Sequence, residues 1–490
     1  MRKREELYPD YGAEAAKIKQ DGISEELLNS MIDKHKHCRN CMKKLYERYE
    51  VLQEAVPIFQ RKPRFEEDTI NNRVNNDFFG EICDFKIGYF AGKPISYSYN
   101  RSEDSKADTG GEEAVGRANK VLADFVYLNS FPDVDMEVTK FATVCGYSGR
   151  LLYHDPEGRE RAMPTPPWET ILLSEMGDIT EPDFAVRYCQ HKDLDNVEYW
   201  TAEFYDGETI RFYRGDYGAL KDTGETKENL YELCPLQGVP NNLEMLGDAE
   251  KVLGEIDDYD RVFSDESNEI ESFANAYMEY KNVQMEDGDI DKAQSSGSIQ
   301  YSTDPGVDGH VGFITKDTSG TQTQQHLDRL EDNIYRFSKT PNLNDESFGT
   351  ASGVALKFRL TGLESKCGMF QSKMQKAGIY LFRALAKAWG KKGIRFDPLE
   401  VDMKFSRNFP LDLVSEAQAA QTMIAAGLPK RVVYGLAFSG IDDVDEVLQE
   451  IENEKEDIPP LEEGQVTVNA GTSKAVSYTH LRAHETELHL

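Results

Sequence analysis

The sequence predicts an α+β protein that is predominantly helical and built from more than one substructure. Three observations carry that expectation. Apolar residues recur at alternating spacings of three and four over several long stretches, the repeat that keeps one face of a helix apolar. Between about residues 150 and 234 this repeat gives way to short extended runs separated by turn signals, the mark of a mostly antiparallel sheet region. At 490 residues the chain exceeds one ordinary domain, so core size is no constraint.

The formal net charge is −32. That balance argues against a protein that grips phosphates over a broad surface, while allowing one that lets DNA pass without sticking. No apolar run approaches the roughly 20 residues needed to span a bilayer, so no membrane partner is expected. The start, Met1-Arg-Lys-Arg-Glu-Glu-Leu7, is basic but has no apolar stretch behind it, unlike a signal peptide. Seven cysteines are too few and too irregular for a disulfide framework, which points to synthesis in a reducing cytoplasm.

Taken in order, Ser24 to Val56 reads as helix, with Leu27, Leu28, Met31, Ile32, Leu45, Tyr49 and Leu52 on its apolar positions. Within it lies His35-Lys-His37-Cys38-Arg-Asn-Cys41, the one metal-like cluster. A structural zinc site normally has a second ligand pair elsewhere, and no second Cys-x-x-Cys exists, so an incidental helical face is expected and no metal. Phe78, Phe79, Ile82, Phe85, Ile87 and Tyr89 form an amphipathic segment that runs into a Gly92-Lys93-Pro94 turn. Gly92-Lys93 lacks the spacing of a phosphate loop. Helices are expected around Ala114 to Asn129 and Asp133 to Cys145. The candidate strands are Arg150 to His154, Trp168 to Leu173, Phe184 to Gln190, Glu198 to Phe204, Thr209 to Tyr213 and Leu230 to Cys234. Acidic residues are so frequent that no paired-carboxylate or triad arrangement rises above chance, and no catalytic residue or cofactor is expected.

The strongest periodicity runs through Ala249, Val252, Ile256, Tyr259, Phe263, Glu266, Ile270, Phe273, Tyr277 and Tyr280, broken only by Glu266. It predicts a helix from Asp248 to Asn282, about 50 Å long, whose packing face includes Ile256, Tyr259, Phe263, Ile270 and Phe273. Val283 to Ile314 reads as a small β-containing connector. A second helix, with Leu327, Leu330, Ile334 and Phe337 on one face, is stopped by Pro341, which has no N–H to donate. The acidic loop Pro341 to Ser352 follows, and then a helix after Ser352 with the apolar line Leu356, Leu360, Leu363, Cys367, Phe370, Met374, Ala377, Leu381 and Leu385. This last helix is basic, carrying Lys357, Arg359, Lys366, Lys373, Lys376, Arg383, Lys387, Lys391, Lys392 and Arg395 against the single acid Glu364. Touching nucleic acid and pairing with the acidic long helix or a neighbouring subunit both fit such a charge run; packing and pairing are the commoner use. Leu411 to Ile451 reads as two or three short helices. The tail from Ala475 to Leu490 resembles translated vector or adaptor sequence and is set aside, its histidines included.

Three separated stretches resemble one family. Asn75-Asn76-Asp77-Phe78-Phe79 with Ile87-Gly88-Tyr89-Phe90-Ala91-Gly92-Lys93-Pro94-Ile95 resembles the amino-terminal signature of tailed-phage portal proteins of the SPP1 type. Gly238-Val239-Pro240-Asn241-Asn242, followed by Ile256-Asp257-Asp258-Tyr259-Asp260 and Ser264-Asp265-Glu266-Ser267-Asn268-Glu269, resembles its stem-helix signature. Lys339-Thr340-Pro341-Asn342-Leu343 with Ser352-Gly353-Val354-Ala355-Leu356-Lys357 resembles its tunnel-loop signature. The resemblance runs from about Glu25 to Glu454 in family order.

That resemblance implies a portal architecture of wing, stem, clip and crown. The wing is residues 1–242, the stem helices 243–282 and 322–340, and the clip 283–321. The tunnel loop is 341–352, the long joining helix 353–395, the crown 396–457 and the tail 458–490. It implies a ring, usually of twelve subunits, at one capsid vertex of the virion, through which DNA is packaged and ejected. The implied partners are double-stranded DNA, the terminase large subunit, the major capsid or scaffold protein and a head-completion (adaptor) protein. Asn342, Asn344, Asp345, Glu346, Ser347 and Phe348 of the tunnel loop are then the residues expected at the DNA channel. Two rival readings are a helical scaffold or adaptor with no channel, and a metal-dependent nucleic-acid enzyme using His35, His37, Cys38 and Cys41.

Overall fold

The computed structural model describes residues 3–63, 70–99, 111–274, 278–284, 302–313, 320–343, 358–408, 413–438 and 444–456. The chain divides into two compact units, Met1–Asp412 and Leu413–Leu490.

The first unit opens with two helices, α1 (Gly12–Asp21) and α2 (Glu25–Tyr49). Ser24 caps α2, its hydroxyl accepting from the Leu27 N–H at 3.2 Å. The helix stops at Tyr49, short of the predicted Val56, where Val51 takes a left-handed conformation. Next come α3 (Phe78–Ala91), β1 (Ser96–Tyr99), α4 (Gly111–Leu128) and α5 (Phe131–Cys145).

The strand region holds β2 (Tyr147–His154), β3 (Glu160–Thr165), β4 (Thr170–Leu173), β5 (Phe184–Lys192), β6 (Glu198–Tyr205), β7 (Thr209–Asp216), β8 (Ala219–Glu228) and β9 (Leu236–Pro240). β4 to β8 form a five-stranded antiparallel meander, and β2 pairs between β3 and β9 in a second antiparallel sheet. Leu230 to Cys234, expected as a strand, is instead the turn between β8 and β9. The Asn229 amide bonds the carbonyls of Asp206 and Leu233 and accepts from the Tyr231 N–H, which satisfies the backbone locally instead of in a ladder. β8 gave no such signal because Leu220 is its only buried side chain.

The long helix α6 spans Leu253–Ala274, shorter than the predicted 248–282. Its near end is preceded by a 3₁₀ turn, and beyond its far end Met278–Lys281 is a strand, β10, paired antiparallel with β11 (His310–Phe313). The sequence Met-Glu-Tyr-Lys alternates in a way that satisfies a strand as well as a helix, so spacing alone could not locate the change. The chain reverses through this hairpin into α7 (Gly320–Ser338), which packs on α6. α8 (Thr361–Lys391) follows, and β12 (Val401–Lys404) pairs with β1, closing the first unit. Every side chain of the predicted apolar line from Leu360 to Leu385 is buried, while Leu356 lies outside the described residues.

Three apolar cores hold this unit. α1 and the first half of α2 cover one face of the meander, with Tyr188, Trp200, Phe204 and Tyr213 facing Leu28, Met31 and Ile32. The second half of α2 packs with α3, β2, β9, the start of α6 and the end of α7. α4, α5 and α8 enclose the third core around Phe131, Phe370, Phe382 and Trp389. The second unit holds α9 (Leu413–Ala425), α10 (Lys430–Ala437) and α11 (Val444–Glu456), and Gly427, where φ is +88°, lies between α9 and α10.

Candidate channel loop and its buried base

The acidic loop joins α7 to α8 in the sequence, and the described residues on either side of it meet α3 and the Asn241–Asp248 segment. At its near root Lys339 has φ +60°, the Thr340 N–H donates to the Tyr335 carbonyl at 3.1 Å, and Pro341 follows. Asn342, the first predicted channel residue, is half-buried and donates its side-chain amide to Glu331 at 2.9 Å. Asn344, Asp345, Glu346, Ser347 and Phe348 lie outside the described residues. At the far root Leu360 and Leu363 are buried at the start of α8.

Beside the end of α7 and the start of α8 stands a charge cluster centred on the buried Asp248. The Lys86 ammonium lies 2.6 Å from one carboxylate oxygen of Asp248, and the Lys366 ammonium lies 2.6 Å from the other. Lys86 also donates to the Asn241 side chain at 2.5 Å and sits 4.7 Å above the Phe370 ring. Lys366 donates in addition to the Ser338 carbonyl at 2.8 Å, so one ammonium joins the last turn of α7 to the first turns of α8. Burial by itself would raise the Asp248 pKa, but the two lysines outweigh it and hold the carboxyl below its ordinary value.

The segment carrying Asp248 is shaped by close backbone approach. The Asn241 N–H donates to the Gly146 carbonyl, and the Asn242 side chain accepts from the Leu246 N–H at 2.9 Å. A β-carbon on Gly146 (φ +99°) would stand 2.0 Å from the Met245 carbonyl oxygen, and one on Gly247 2.3 Å from that of Val144. Only glycine fits at either position.

An extended strap braces α6. The N–H groups of Asn72, Val74 and Asn76 donate in turn to the side chains of Asn268, Ser264 and Asp260, at 2.6, 3.0 and 3.0 Å. Every second strap residue meets every fourth helix residue. The match is geometric, since two extended residues advance about 6.6 Å and four helical residues about 6 Å. Arg48 and Arg61 add ion pairs to Asp257 and Asp265. Phe78, the first residue of α3, packs edge-on against Tyr259 and Tyr335, and the Tyr335 hydroxyl donates to Glu81 at 2.8 Å.

Among the predicted stem-packing residues, Ile256 is buried, and Tyr259 and Phe263 are half-buried and stacked on each other. Ile270 is 67% exposed in the single chain, and the Phe273 side chain is outside the description. The cations of α8 pair mainly with acids of the strand region and not with α6. Lys376 reaches Asp178, Arg383 reaches Glu181, Lys387 and Lys391 reach Glu232, and Lys392 reaches Glu160.

The metal-like cluster does not converge. His35 and Cys38 face the core, His37 faces solvent, and the His35 ring bonds the Tyr188 hydroxyl at 2.9 Å. Burial pushes the His35 pKa down to about 3. Among the described residues no three of His, Cys, Asp and Glu form a metal-binding group.

Among the described residues this arrangement ties the end of α7 and the start of α8 to α3 and the Asn241–Asp248 segment. Residues 28–460 match the family model described as phage portal protein, SPP1 Gp6-like. The chain belongs to that family. It is also 21% identical over 422 residues to the portal protein of Clostridium phage phiCD119, an alignment covering 82% of this chain and 88% of that relative. As a portal it forms a ring at one capsid vertex, the channel for DNA packaging and genome ejection and the head–tail attachment site. No described helix of the portal is long and apolar enough to cross a membrane. The residues that motif reading missed are Lys86, Asp248 and Lys366. A signal did exist for Lys86, the one cation of α3, set between Phe85 and Ile87, because lysine is rarely buried unless paired.

Proposed function

We propose that this portal works as a twelve-subunit ring in which residues 344–352 form a sequence-blind DNA contact mounted on the Lys86–Asp248–Lys366 base. In this reading residues 1–242 are the wing, 243–282 and 322–340 the stem, and 283–321 the clip facing the packaging motor. Residues 341–352 are the tunnel loop, 353–395 join stem to wing and 396–457 are the crown. β11 belongs with the clip, and β10, at the end of the range assigned to the stem, pairs with it.

The observation that carries the proposal lies at the described residues on either side of the loop: the end of α7 and the start of α8 are tied together by Lys366, which donates to the Ser338 carbonyl and pairs with the buried Asp248. A loop that must meet moving DNA repeatedly needs such a base, since precise placement comes from rigid supporting elements. Asn344, Asp345, Glu346, Ser347 and Phe348 supply polar, acidic and aromatic surface near the axis, with Asn342 at the root. Fixed cations there would each add a phosphate trap along the path, which an acidic wall avoids. ATP hydrolysis belongs to the terminase large subunit; the scaffold or major capsid protein and a head-completion protein bind other faces of the ring.

Deleting Asn344 to Gly349 tests this. Rings of about a dozen subunits should still form by mass measurement and negative-stain imaging, while packaged or retained DNA should fall sharply. Normal packaging by the deleted form would overturn the loop's role.

A further inference from the structure

A cavity of about 410 Å³ opens beside the buried base, between α3, α8, the end of α7 and the Asn241–Asp248 segment. Its lining combines two features that a finished monomer surface rarely joins. Leu243, Phe337 and Met369 line it while 79%, 49% and 54% exposed. Lys251, Lys339 and Lys373 line it too, and among the described residues none of the three has an ion-pair partner. On α8 the contrast is direct. Lys366, Lys376, Arg383, Lys387, Lys391 and Lys392 all pair within the chain, whereas Lys373, on the cavity side, does not.

We infer that this cavity is the receiving half of the subunit interface, filled by a carboxylate-bearing, partly apolar surface of a second copy of the chain. The inference rests on the ring-forming reading. A closed ring needs a heterologous contact, in which two different patches of one chain meet. Apolar anchors in a concavity with charges at the rim are the usual anatomy of such a patch. Charge selects the occupant, because a chain of net charge −32 presents carboxylates to its neighbour, and these three lysines, unpaired among the described residues, are cations gathered beside apolar anchors in one concavity, able to receive them. DNA would be the other candidate for a lysine-lined cleft, but Leu243, Phe337 and Met369 offer a phosphate backbone nothing.

Zero-length carbodiimide coupling of assembled wild-type rings tests it. Peptides containing Lys339 or Lys373 should be found joined to Asp or Glu peptides in the covalent dimer band. The variant K251R/K339R/K373R keeps the charge but cannot form these amides, so it should still assemble and lose those linkages. The charge-reversed K339E/K373E should keep wild-type circular dichroism yet show a several-fold lower ring fraction at matched concentration. If wild-type protein never forms rings, the ring reading itself falls. If rings form but the lysines couple only within one chain, or K339E/K373E assembles normally, this inference alone falls. Protection of the same lysines from acetylation only when DNA fills the ring would assign the cavity to DNA and overturn it as well.

Discussion

Asp248 has each carboxylate oxygen paired with a different lysine, the buried Lys86 and the half-buried Lys366, and much of the local stability depends on it. Lys86 is 1% exposed, so removing its counter-ion strands an ammonium in low dielectric, which costs about 3–5 kcal/mol. Asp248→Ala should therefore lower the urea midpoint strongly, and a change within error would show that the lysines find other partners. The sign of its pH dependence follows from its lowered pKa: the stability it contributes is present above about pH 4 and is lost as pH falls through the lower folded value. Asp135 behaves in the opposite sense. It is buried among Tyr97, which donates to it at 2.6 Å, and Arg150 at 3.3 Å. Burial raises its pKa to about 6 against the lowering pull of Arg150 and Tyr97. Its contribution is full below about pH 4 and is lost as pH rises through about 6. The stability difference between wild type and Asp135→Asn should therefore be larger at pH 4.5 than at pH 7. Urea unfolding of both proteins at the two pH values measures it, and a constant difference would contradict the assignment.

At the scale of elements, the strap and α6 explain why two motifs far apart in sequence act as one. Asn75-Asn76-Asp77 and the run Ser264 to Glu269 were legible separately, but their contact was not. A helix side chain that accepts from an extended backbone leaves no apolar periodicity to read. The apolar seam of α6 pointed to Ile256, Tyr259 and Phe263, yet the most buried positions in its middle are Asp260 and Ser264, which the strap covers. Ser264→Ala should leave the Val74 N–H without its acceptor and cost about 1–3 kcal/mol. Ser267→Ala should cost less, because the Ser267 hydroxyl donates only to the Phe263 carbonyl of its own helix. Chemical denaturation of the two variants compares them, and equal losses would remove the strap from the account. α8 was readable almost residue for residue because its line from Leu360 to Leu385 is buried by neighbours on one face, the case that helical spacing reports best. The end of α6 was not readable. Met278–Lys281 becomes a strand only because His310–Phe313, some 30 residues on, pairs with it, and local spacing carries no information about such a partner.

For the molecule as a whole, the distribution of core sets where it opens first. Three apolar clusters lock the first unit, and α5 and α8 are buried along most of one face. In the second unit Ala420, Val433 and Ala437 are the buried apolar residues among those described, with Met423, Tyr434 and Phe438 partly buried against them. So small a core contributes little net stability, since the burial gain scales with area while every ordered residue costs conformational entropy. Its groove, lined by Ile424, Tyr434, Val447 and Ile451 among others, leaves apolar surface in contact with water. Hydrogen exchange on the unassembled protein should accordingly find α9–α11 opening at free energies far below those of α5 and α8. The same measurement on assembled rings gives the complementary quantity, because packing of these helices against neighbouring subunits would raise their protection selectively. Equal protection of α9–α11 and α8 in the unassembled chain would mean that the second unit draws its stability from contacts other than its own small core.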